Sequence, residues 1–203
     1  MTQSLTIDGN LNNDGVPKIT IDGSNNIIGS SVININITNS ATVTLEGLNI
    51  TGGSGSGIYA AGGTLTVTHS TVSGNSANAG GGIYADGVAL TVTHSTASGN
   101  SVSGGLSAGG GIYAVAGTLT VTHSTVSGNS GGFDGHGGGI YAVDGTLTVT
   151  NSTLASNSAS SGGALYIDSN ASVTNVTFSR NSATDSGGAM LTGSTLTLTN
   201  VIL

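Results

Sequence analysis

Residues 109–130 read GGGIYAVAGTLTVTHSTVSGNS, and the same phrase returns at residues 80–101 (GGGIYADGVALTVTHSTASGNS) and 137–158 (GGGIYAVDGTLTVTNSTLASNS). A looser copy, GGALYIDSNASVTNVTFSRNS, fills residues 162–182. The leading apolar residue moves from Ile58 to Ile83, Ile112, Ile140, Leu165 and Met190, in steps of 25, 29, 28, 25 and 25 residues. The extra residues fall between the SGNS phrase and the next glycine run. One corner of a stacked repeat absorbs length there without disturbing the rest. Within residues 109–130, Ile112 and Ala114 alternate with Tyr113, Leu119 and Val121 with Thr120 and Thr122, and Val126 with Ser127. Period-two alternation marks strands with one buried face.

Three strands of three to five residues per repeat make one coil, and stacked coils pair like strand on like strand, which predicts three parallel sheets around an apolar core. The expected middle-strand inward pairs are Ile19/Ile21, Val43/Leu45, Leu65/Val67, Leu90/Val92, Leu119/Val121, Leu147/Val149, Ala171/Val173 and Leu196/Leu198. The fold class is therefore all-β, a single-stranded parallel β-helix of about eight coils of roughly 25 residues and about 38 Å long. Residues 1–203 form one domain, with 1–50 as irregular lead-in coils and 51–203 as the regular repeats.

Two columns mark turns. The residue closing the middle strand is expected to run Gly23, Gly47, His69, His94, His123, Asn151, Asn175, Asn200. Glycine, asparagine and histidine share tolerance of positive φ, so the column predicts a left-handed turn. A metal ladder of the three histidines lacks an acidic or cysteine partner in this reading. Asn75, Asn100, Asn129, Asn157 and Asn181 end the third strand, where stacked amides pass hydrogen bonds between coils.

Composition narrows the partners. The chain carries 36 glycines, one proline, no cysteine and a formal net charge of −7, with Lys18 and Arg180 its only Lys or Arg residues. That excludes a phosphate-binding surface, so no nucleic-acid partner is expected. No apolar run reaches membrane-helix length, so no membrane insertion is expected. No signal peptide opens the chain.

The pairing of GGGI or GGAL with VSGN, LASN and FSRN resembles the GGAI and FxxN repeats of chlamydial polymorphic membrane proteins. It is also similar to bacterial secreted and surface right-handed β-helix proteins rich in LTVTNSTVSGNSA-type repeats. The opening LTIDGNLNNDGVPKITIDG resembles the lead-in coil of that group. The resemblance implies the right-handed form of the fold, an extracellular or cell-surface location and an adhesive or spacer role. Its partners would be surface glycans or proteins.

No catalytic residue is assigned. A lyase needs an acidic calcium cluster beside Arg or Lys, and a glycosidase needs paired carboxylates. Of the nine acids, no two are expected on adjacent rungs beside Arg180. Polysaccharide binding or degradation stands as an alternative function. The outward residues form two surface ladders. Tyr59, Tyr84, Tyr113, Tyr141 and Tyr166 share a column closed by Leu191, read as an aromatic stack or a sugar platform. Thr66/Thr68, Thr91/Thr93, Thr120/Thr122, Thr148/Thr150, Ser172/Thr174 and Thr197/Thr199 form a double hydroxyl column that resembles the ice-binding face of antifreeze solenoids. Asn10, Asn12 and Asp14 before Gly15 match part of the oxygen-ligand spacing of a calcium loop, and no other cofactor is expected. The final coil ends at an inward Leu203 without a polar cap, so the expectation is either an excerpt of a longer solenoid or end-to-end stacking of copies into filaments.

Overall fold

The computed structural model describes residues 4–10, 14–26, 28–37, 41–104 and 109–203. Every strand pairing is parallel, and partners in successive coils carry equivalent residues. Leu90 faces Leu65 and Leu119, and Val92 faces Val67 and Val121. On the preceding strand of the same coils, Ile83 faces Ile58 and Ile112. The third strand repeats the rule, with Ala97 between Val72 and Val126. These inward residues are the fully buried core, a column of Leu, Ile and Val whose neighbours lie one coil above and below. Each such side chain contributes on the order of 1.5–3 kcal/mol.

The three expected strand columns are present, but they make two large sheets rather than three. The TVS-type strands form a seven-stranded sheet from Ile19–Asp22 to Thr177–Ser179. The IYA and LTVT columns share one thirteen-stranded sheet. They merge because Ile140–Thr150 and Leu165–Thr174 run straight through what is elsewhere a turn, with a register shift between Val143 and Thr146. Two short two-stranded sheets, including Ser76–Ala77 with Ser101–Val102, mark the corner that takes the insertions.

The lead-in corrects the sequence alignment. Ile19/Ile21 do not open the middle column: Ile19–Asp22 pairs with Leu48–Thr51 in the seven-stranded sheet. Ser4–Asp8 takes the middle place instead, with Leu5 on Val43 and Ile7 on Leu45. The column keeps its eight rungs with this exchange.

The turn column follows the expected conformation from Gly47 onward. Its φ values are 62° at Gly47, 47° at His69, 48° at His94, 48° at His123, 50° at Asn151, 54° at Asn175 and 51° at Asn200. Gly23 leaves the column together with its strand. The glycine triplet has a separate cause. Gly109 sits at φ 64°, and a Cβ on Gly111 would lie 2.5 Å from Gly139 O and 3.0 Å from the Asn129 side chain.

At the two ends of the described rod the core columns meet solvent. Leu5 is 56% exposed at one end, and Leu203, one place beyond the Thr177–Ile202 bridge that sets it on Phe178, is 74% exposed at the other.

A left-handed position tolerates Asn but strains a β-branched side chain. His94→Asn is expected to leave the denaturation midpoint nearly unchanged, whereas His94→Val lowers stability by about 1–2 kcal/mol, as read by urea unfolding.

Candidate functional site

The polar side chains of the repeats fall into ladders, two buried and three on the surface. In the first, the Asn100 amide Nδ2 donates to Asn129 Oδ1 at 3.1 Å and to Val72 O at 2.9 Å. Its Oδ1 accepts from the backbone N–H of Asn75 at 3.1 Å and from Asn75 Nδ2 at 3.0 Å. The same exchange continues from Asn129 to Asn157 and from Asn157 to Asn181. Each amide is inside the core edge, where an unpaired donor is costly, and each finds its partner one coil away.

A second buried ladder was not singled out from the sequence. Ser70, Ser95, Ser124 and Ser152 follow the left-handed turn residue, and each hydroxyl donates to a carbonyl two residues back, at 2.7–2.8 Å. Each also accepts a backbone N–H from the preceding coil, such as Ser70 N–H to Ser95 Oγ at 3.1 Å. Its signal in the sequence is the serine that follows the turn residue in four successive repeats, replaced by Val176 and Val201 in the last two.

The turn column itself makes the third ladder. The rings of His69, His94 and His123 stack with centroids 5.1 and 5.0 Å apart and planes 14° and 2° from parallel. Each Nδ1 sits 2.9–3.0 Å from the hydroxyl of the preceding threonine. Asn151, Asn175 and Asn200 carry the ladder on, linked to His123 and to one another. The expectation that no acid joins the histidines is corrected: Glu46 Oε1 lies 3.7 Å from His69 Nδ1. Parallel rings aim their nitrogens side by side rather than at a common point. Among the described residues no group of three or more His, Cys, Asp or Glu side chains is placed to hold a metal ion.

On the IYA face the tyrosines stack in two ways. Tyr84, Tyr113 and Tyr141 lie ring over ring, with centroids 5.0 and 5.1 Å apart and planes 19° and 16° from parallel. Tyr59 and Tyr166 meet the stack edge-on, and His136 from the long corner lies 4.4 Å from Tyr166. A sugar stacks on an open aromatic face, but the faces of the inner tyrosines cover one another, leaving edges and hydroxyls outward. Partial burial, with Asp86 next, raises the phenols of Tyr84 and Tyr113. Burial, then the neighbouring Tyr113 and Tyr166, pushes Tyr141 up to about 12.

The threonine face is wider than expected. Besides the Thr66 and Thr68 columns, Thr42, Thr64, Thr118 and Thr146 form a third row interrupted by Ala89. From Thr64 through Thr199 these three rows contain no charged residue. Glu46 and Asp8 occupy only the first two rungs.

Two acids, Asp8 and Asp22, are placed differently from the alignment. With Ser4–Asp8 in the middle column, Asp8 becomes the register partner of Glu46. Asp168 faces Val143, one place from Asp144 on the neighbouring coil. Arg180 makes no ion pair among the described residues; the pairs there are Lys18–Asp14 and His69–Glu46. In the candidate calcium loop, Asn12 lies outside the described residues. Asn10 Oδ1 accepts the Asp14 N–H at 3.1 Å, and Asp14 Oδ1 accepts the Val16 N–H at 2.9 Å. The Val16 N–H, then Lys18 at 3.0 Å, lowers the Asp14 carboxyl below its ordinary value. No helix of the described residues is long and apolar enough to cross a membrane.

Removing one member of the buried amide ladder orphans groups on two coils. Asn100→Ala is expected to lower unfolding free energy by at least about 3 kcal/mol, from the desolvation of donors and acceptors left unpaired. Asn200→Gly, on the exposed turn ladder and free of strain at a left-handed φ, is expected to change it by less than about 1 kcal/mol. Chemical denaturation of both variants checks the contrast.

Comparison with known proteins agrees with this geometry. The family model described as right handed beta helix region matches residues 3–134, and the Chlamydia polymorphic membrane protein repeat matches residues 175–189. No curated protein and no solved structure matches the chain. With the larger match covering well over half its length, and coils that continue in register beyond it, the chain belongs to the right-handed β-helix family.

Proposed function

We propose that this chain is a non-enzymatic scaffold of the cell surface or extracellular space, a stiff rod whose outer faces are available for adhesive contacts with glycans or proteins. The observation that carries the reading is the use of polar side chains. The repeated asparagines, serines and turn histidines are engaged by the coil above or below, so they hold the rod together and are not aimed at a ligand. The short match to a polymorphic membrane protein repeat supports surface placement. End-to-end contact between copies belongs to the same proposal, since each coil pairs in parallel with a coil of like sequence.

Solution scattering and polysaccharide assays test this together. A rod about 38 Å long per chain is expected, with mass rising as concentration increases and no product from polyuronates or neutral polysaccharides. Product formation that is lost in Asp8→Asn or Asp168→Asn would overturn the non-enzymatic reading.

A second reading is ice binding by the threonine face. It is favoured by the three uncharged rows in register across successive coils, with the hydroxyls of Thr68, Thr93 and Thr122 held toward their neighbouring imidazoles. Thermal hysteresis by the unmodified chain, abolished in Thr93→Tyr/Thr122→Tyr, is the expected result. Unshaped ice crystals at high protein concentration reject it.

A further inference from the structure

We propose that the tyrosine column is a site of oxidative modification, in which neighbouring tyrosines of successive coils become joined by a dityrosine bond, with Tyr113 the shared partner of Tyr84 and Tyr141. The proposal is independent of what the rod binds. Its geometry comes from the register: Tyr84, Tyr113 and Tyr141 are direct strand partners. Their rings lie nearly parallel, with centroids 5.0 and 5.1 Å apart. The outer members are less suited. Tyr59 meets Tyr84 at 82°, and Tyr166 meets Tyr141 at 78° with His136 against its ring. The rings are half-buried, so their edges reach a diffusible oxidant while their backbones stay fixed in the sheet. The chain has no cysteine, so a covalent link between coils cannot be a disulfide.

The chemistry balances with hydrogen peroxide as oxidant and a haem peroxidase as catalyst. Each phenol gives up one electron and its O–H proton to become a phenoxyl radical. Two radicals then form a carbon–carbon bond between ring positions ortho to oxygen. The hydrogens on those carbons shift to the phenol oxygens as the rings regain aromaticity. The pair has then lost two electrons and two protons, which reduce one peroxide to two waters. Stacked neighbours in a fixed register also favour coupling within a chain over coupling between chains.

The test treats the purified chain with peroxidase and hydrogen peroxide, then reads dityrosine fluorescence, the mass of the monomeric fraction and its cross-linked peptides. The expected result is a monomer lighter by two hydrogens, with Tyr113 joined to Tyr84 or Tyr141, and a melting transition shifted upward. Tyr113→Phe, which keeps the ring stack, is expected to lose most of the intramolecular signal. Tyr59→Phe/Tyr166→Phe is expected to retain it. Should Tyr113→Phe fail to fold, Tyr84→Phe/Tyr141→Phe removes both partners and makes the same test. Cross-links found only between chains, an equal intramolecular yield in urea, or full yield without Tyr113 would overturn the proposal.

Discussion

The constraint on which the rest depends is that the asparagine amides at the edge of this core are satisfied chiefly by the coil above or below them. A single coil of about 25 residues is too thin to enclose its own amides, and an unmet buried donor costs roughly 1–3 kcal/mol. Asn75 through Asn181 resolve this by each holding the next, with a side-chain carbonyl that serves two N–H groups at once. The identity of the repeats follows. A residue that must bond to its own kind one coil away cannot drift in type without breaking two coils. The glycine triplet belongs to the same arrangement, because Gly111 lies where the Asn129 amide and the next backbone leave no room for a Cβ.

Outside the core the same register has different consequences on each face. Stacking identical residues at strand spacing turns histidines into a ring column, tyrosines into an aromatic stack and threonines into hydroxyl rows. The histidine rings are parallel because their Nδ1 atoms are held by the preceding threonine hydroxyls, which also keeps them from converging on an ion. The tyrosines have no such tether, and their stack breaks to edge-on contacts at both ends. Because the interior and turns use their polar groups for coil-to-coil bonding, the outer faces of the described coils are repetitive.

Most of the length variation falls in the corner between the asparagine ladder and the glycine run, and a one-residue difference falls between Val143 and Thr146. Added residues at that corner alter no register on either side: Ile83 still faces Ile112, and Ile112 still faces Ile140. The longer corner does more than bulge. It carries His136 back against Tyr141 and Tyr166, while Phe133 on the same segment is 93% exposed.

The amino-acid sequence by itself determined the coil period, the inward columns of residues 43–200, the left-handed turn at Gly47 through Asn200 and the asparagine ladder. Each is a local rule repeated, and alternation reports which side chains face inward whatever lies next to them. It does not report which strand is the neighbour. LTIDG at residues 5–9 and ITIDG at 19–23 are nearly the same phrase. Only the path of the chain around the core placed the first on Val43 and Leu45 and sent the second to the other sheet. Asp8 beside Glu46 follows from that path and was hidden with it. Whether tyrosines meet face to face or edge to face was likewise decided in three dimensions, because side-chain torsions answer to packing above and below, and a column of identical letters carries no record of either.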